Sequence, residues 1–141
     1  MNRLTCSPNS LLRGLVVSSL LLLAGAAQAD WMLFGRTSNF RIYLDEKLMQ
    51  KSGDSAQVLQ LMDFTVAQWA DAQTAVGSIK NLVEYDCIQP RVRTLAGEAY
   101  TEQMGAGRLV ANEKVADPQW ELIEPGSTPD KVRQIACGKK P

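Results

Sequence analysis

Ile79-Lys80-Asn81-Leu82-Val83-Glu84-Tyr85-Asp86-Cys87 alternates residue by residue. Ile79, Asn81, Val83, Tyr85 and Cys87 fall on one side, and Lys80, Leu82, Glu84 and Asp86 on the other. A period of two is the mark of a strand with one face toward a core. Pro90 then turns the chain, and a second strand is expected from Arg91 to Tyr100, with Val92, Ala96 and Tyr100 in phase and Arg93 opposite. Upstream, Ala56 to Phe64 carries Val58, Met62 and Phe64 on one side and Leu59 and Leu61 on the other. Apolar residues on both sides predict a central strand covered on both faces.

Further strands flank this group. Trp31 to Phe34 is a short apolar start, and Asn39 to Asp45 places Phe40, Ile42 and Leu44 opposite Arg41 and Tyr43. Arg108 to Asn112 reads as a short strand after the Gly105-Ala106-Gly107 turn, and Val115 to Pro118 links it to Trp120–Ile123. Glu46 to Lys51 is expected to form one helical turn with Leu48 inward. Thr65 to Gly77 reads as a longer loop with a helical turn, because Val66, Trp69, Ala70 and Gln73 fit a helical face that Val76-Gly77-Ser78 breaks. The last element is a helix. Ser127 caps it, Pro129 suits its first turn, Asp130 completes a Ser-x-x-acid pattern and Gly138 ends it. Val132, Ile135 and Ala136 are expected inward, and Lys139 and Lys140 complement the helix's negative end. The result is an α+β chain of about six strands and a C-terminal helix.

The first 29 residues read differently. Arg3 and Arg13 precede an apolar run from Leu15 to Ala24, and the segment ends Ala27-Gln28-Ala29. These are the parts of a secretory signal peptide, cleaved after Ala29. The run is shorter than the roughly 20 residues of a spanning helix. The mature chain, residues 30–141, is expected to be one domain without a transmembrane segment. Asp30 follows the cleavage point, so no Cys is placed there for a lipid anchor. Loss of Arg3 and Arg13 from 15 basic and 15 acidic residues leaves a mature charge of −2. This balance argues against nucleic acid as a partner.

Cys6 leaves with the leader, and Cys87 and Cys137 remain. An even pair in an exported chain predicts a disulfide. It closes a loop of about 50 residues, for which the chain-entropy relation gives about 4 kcal/mol. A redox pair is more often Cys-x-x-Cys, and two sulfurs without His make a poor zinc site.

The chain contains no His, which removes imidazole bases and the Ser-His-Asp and Cys-His systems. Glu84 and Asp86 share a face and could do acid–base work. The plainer reading makes them partners for Arg91 or Arg93 across the hairpin. Asp45, Asp54 and Asp63 lack the spacing of a calcium loop. Gly105-Ala106-Gly107 lacks the Lys-Ser/Thr ending of a phosphate loop. No catalytic residue, metal or cofactor is therefore assigned. Trp31, Trp69 and Trp120 are either core anchors or partner contacts, since Trp is enriched at binding hot spots. Trp69, in the irregular segment, is the best candidate for exposure. With Gln68 and Asp71 it forms the candidate partner-binding group.

Trp31, Tyr43-Leu44-Asp45, Met62-Asp63-Phe64, Ser78-Ile79-Lys80, Glu84-Tyr85-Asp86-Cys87, Trp120, Pro125-Gly126-Ser127 and Cys137 follow in order. This series resembles the bacterial surface-adhesin protein E family, from about Trp31 to Cys137. The resemblance implies a small bent antiparallel sheet with a helix packed on it, stapled by a disulfide. It further implies an exported protein of Gram-negative bacteria that adheres to host or extracellular-matrix proteins. A periplasmic accessory or structural domain that binds another envelope protein is the alternative. Asp30 in place of a lipid-anchor Cys sets the chain apart from a lipid-anchored adhesin. Location, periplasmic or at the outer surface, separates the two readings.

Overall fold

A computed structural model describes residues 30–138. The leader, Cys6, Lys139 and Lys140 lie outside the described residues. Among those described, eight strands form one antiparallel sheet: β1 Trp31–Arg36, β2 Phe40–Asp45, β3 Gln50–Ser52, β4 Ser55–Trp69, β5 Ala75–Asp86, β6 Arg91–Tyr100, β7 Leu109–Lys114 and β8 Glu121–Leu122. Helix α1 spans Thr128–Ala136. The order across the sheet is β1-β2-β4-β5-β6-β7, while β3 pairs with β4 and β8 with β6. The six-strand main path and the C-terminal helix match the α+β expectation.

The alternation of β4 and β5 explains their central place. Val58 and Leu61 point to opposite faces, and both are fully buried. Burying side chains of this size contributes about 1.5–3 kcal/mol each. On one face Leu44, Ala56, Val58, Val83 and Tyr85 meet Ile123 and the α1 residues Val132 and Ala136. Helix α1 starts as its sequence predicts: the Ser127 hydroxyl accepts the Asp130 N–H at 3.3 Å. Gly138, at φ +77°, ends it. The bond between Cys87 and Cys137 ties the helix to the end of β5.

The opposite face is covered at the other end of the strands. A 3-10 turn, Gln103–Gly105, lies over Asp63 and Ser78, which are almost completely buried. The Met104 N–H donates to Asp63 Oδ1 at 2.7 Å. The Ser78 hydroxyl donates to the Glu102 carbonyl at 2.6 Å and accepts the Gly105 N–H at 2.9 Å. Buried polar groups are thus satisfied by the cover itself. Met104 adopts φ +57°, a region that non-glycine residues rarely occupy.

Three local expectations are corrected. Glu46–Lys51 is no helical turn. Asp45 Oδ1 accepts the N–H groups of Lys47 and Leu48, Leu48 is exposed, and β3 begins at Gln50. An Asp that bonds the backbone two residues on favours a turn over a helix. Thr65–Gly77 is no helical loop, for β4 runs on to Trp69 and β5 starts at Ala75. In β6, Val92 is out of phase with Ala96 and Tyr100. Leu82 pairs with Ala96 but Val83 with Thr94, so Leu95 is an extra residue that inverts the faces.

Candidate functional site

The candidate site is the arm formed where β4 and β5 outrun their neighbours. Their ladder is regular up to Asp63 opposite Ser78 and resumes with Gln68 opposite Val76. Phe64–Ala67 therefore face Gly77 alone. The bulged chain is anchored sideways: the Thr65 N–H reaches the Asn39 carbonyl, and its hydroxyl the Ser38 carbonyl, both at 2.9 Å. Gly77 is required by contact rather than by its own dihedrals. A Cβ there would lie 2.5 Å from the backbone carbon of Glu102. A hollow of about 450 Å³ at the arm's base is lined by Phe64, Thr65, Ala67, Gly77, Glu102 and Gln103.

Beyond the bulge, the Ala70 N–H bonds the Thr74 carbonyl at 2.9 Å and closes the hairpin. Asp71 Oδ1 accepts the N–H groups of Gln73 and Thr74, each at 2.8 Å. The Gln73 N–H is the main cause that holds the Asp71 carboxyl below its ordinary range. Gln68 Nε2 donates to the Val66 carbonyl. The three residues predicted from sequence thus share one arm, but Gln68 and Asp71 engage their own backbone. Trp69 is 69% exposed and Val66 73% exposed. Val66, read from the sequence as part of a helical face, is absent from the candidate group, because a single valine in such a stretch gives no sign of exposure.

The second cluster is Glu84 and Asp86. Arg93 Nε donates to Glu84 Oε2 at 2.6 Å, and Arg91 Nε to Asp86 Oδ2 at 2.8 Å. The Trp120 ring lies across both guanidinium groups, 4.7 Å from Arg91 and 4.3 Å from Arg93. Such stacking adds about 0.5–1 kcal/mol per cation at partly exposed sites. Asp86 Oδ1 also accepts the N–H groups of Ile88 and Gln89. The Gln89 N–H contributes most to holding the Asp86 carboxyl below its usual range. Both carboxylates are therefore engaged in fastening the β5–β6 turn, as the plainer sequence reading had it. Trp31 is half-buried on β1 and Trp120 half-buried over the arginines, leaving Trp69 as the exposed tryptophan of the three.

These features define a small α+β domain with one stapled helix and one uncovered hairpin arm. Its sequence matches the profile of surface-adhesin protein E over residues 31–138, and the chain belongs to that family. The fold is similar to that of Haemophilus influenzae protein E. In its crystal form II, the TM-score is 0.61 at 14% identity, covering 78% of this chain and 88% of that chain. Protein E from non-typeable Haemophilus influenzae gives a TM-score of 0.57 at 14% identity, covering 80% and 78%. At this identity the likeness shows the shared fold. No curated protein matches the sequence. Among the described residues, no helix is long and apolar enough to cross a membrane.

Proposed function

We propose that the chain is an exported, non-enzymatic binding protein that adheres to host or extracellular-matrix proteins, with the β4–β5 arm as its contact. Residues 1–29 serve as the cleaved leader in this reading, and residues 30–141 form the single mature domain. Family membership supports adhesion as the activity. The observation that carries the arm is the joint exposure of Val66 and Trp69. Exposed Trp on a backbone already ordered by its own hydrogen bonds loses little entropy on binding.

The test is Trp69→Ala, assayed with the parent chain on immobilised matrix proteins. Binding should fall by about tenfold or more, as for a hot-spot aromatic, with the thermal midpoint unchanged. A variant that binds like the parent would remove the arm from the proposal. Protease added to intact cells reports location. Protection of the chain until the outer membrane is breached would favour the periplasmic accessory role.

A further inference from the structure

β7 ends the sheet, and its outer edge is unpaired among the described residues. The Val115 N–H donates to the Leu95 carbonyl. Bonded and non-bonded pairs alternate along an antiparallel ladder. Gly97–Glu113 and Ala99–Ala111 are then the bonded pairs. Asn112 and Lys114, opposite Glu98 and Ala96, turn their N–H and C=O groups outward. Both residues are exposed. Such a row of donors and acceptors is matched by one kind of ligand, an extended backbone.

Each face beside this edge offers room for alternate side chains. On the helix side a hollow of about 260 Å³ lies among Ile79, Asn81, Gly97, Ala99 and Ala111. On the other side one of about 320 Å³ lies among Leu59, Leu82, Ala96 and Asn112. The opposite edge differs, since a bulge between Leu33 and Gly35 breaks β1 in its middle.

The charges argue against a second copy as occupant. The straight part of the edge is Ala111–Lys114, because the register slips between Ala99 and Tyr100. One self-paired register uses both outward residues of each copy, with Asn112 opposite Lys114. It sets Glu113 of each copy face to face, and like charges directly opposite are destabilising. We propose that the free edge of β7 accepts an extended segment of a partner protein. The segment runs antiparallel, with an acidic residue opposite Lys114, a basic residue opposite Glu113 and an apolar residue beside Ala111.

The peptide Thr-Val-Glu-Lys-Thr-Val-Thr-amide, with fluorescein on its N-terminal amine and its Lys side chain free, follows this pattern and is the probe for the full chain by anisotropy. Saturable binding is expected. Asn112→Pro removes an outward N–H without breaking a bond to β6, and should weaken binding by about tenfold. Asn112→Thr keeps that N–H and should retain binding. A peptide N-methylated at its fifth residue should lose a similar factor on the parent chain, so the result stands even if the proline variant fails to fold. Three outcomes would overturn the proposal. These are no saturation up to about 1 mM peptide, equal binding of the N-methylated peptide, or a dimer in sedimentation that Asn112→Pro abolishes.

Discussion

Tyr85 shows how a single buried group sets a limit on stability. Its ring is 2% exposed in the core, and its hydroxyl accepts the Gln60 amide at 2.6 Å. Burial pushes its pKa from 10.0 up to about 12, against the smaller opposing effect of the Gln60 hydrogen bond. Below pH 10 the group is neutral in both folded and unfolded chains, and its contribution is complete. Between 10 and about 12 the unfolded chain releases the proton while the folded chain retains it, so folding weakens as pH rises. The loss over this window is about 3 kcal/mol. Urea midpoints measured from pH about 8 to about 11 should fall for the parent and fall less for Tyr85→Phe, which lacks the ionisation. Parallel curves would show that Tyr85 does not govern the alkaline limit. Asp130 works at the other extreme. Its carboxylate accepts the Gly126 N–H, the largest cause of its lowered pKa, and faces Arg133.

At the scale of the element, α1 depends on its staple. Its nine residues are too few for an isolated helix to persist in water. Packing of Val132 and Ala136 and the bond at Cys137 hold it. Arg133 adds a contact from its guanidinium to the Asp86 carbonyl at 3.3 Å. The double replacement Cys87→Ala with Cys137→Ala should lower unfolding free energy by about 4 kcal/mol. Circular dichroism should show the helical signal melting ahead of the sheet. A midpoint equal to the parent's would refute the stapling role.

How far these elements could be read in advance varied with their physics. β5 and most of β4 were legible because burial on one or both faces forces a period of two. Helix α1 was legible because capping and termination need particular residues at Ser127 and Gly138. The arm was not. Gly77 looks like a chain breaker, yet it serves the close approach of Glu102, a contact 25 residues away in sequence. β3 is polar throughout and owes its existence to a free stretch of β4, so it leaves no periodic trace. The phase of β6 was lost at Leu95, since a bulge carries no necessary residue type. Of the candidate site, Trp69 stood out because its segment reads as irregular; the residue is exposed, but it ends the strand β4.

Across the whole molecule, stability should grade from the middle of the sheet outward. The β4–β5 ladder is covered on both faces, by α1 at one end and by the Gln103–Gly105 turn at the other. The arm and the outer strands β1 and β7 have no such cover. Hydrogen exchange should therefore be slowest at Val58–Asp63 and Ile79–Tyr85, and fastest along Val66–Thr74 and the outer groups of β7. Uniform protection across all strands would contradict this gradient. If the further strand of a partner adds to β7, protection should rise there first on binding.

The break in register beneath the arm separates two construction problems. Strand pairing below Phe64 is fixed by the core, whereas pairing above Gln68 is fixed by its own short turn. A sequence spliced between Ala72 and Gln73 would meet neither the core nor the staple, as loop tips of this kind tolerate insertions. The fold can thus serve as a mount for exchangeable tips, with new specificities grafted onto an unchanged base.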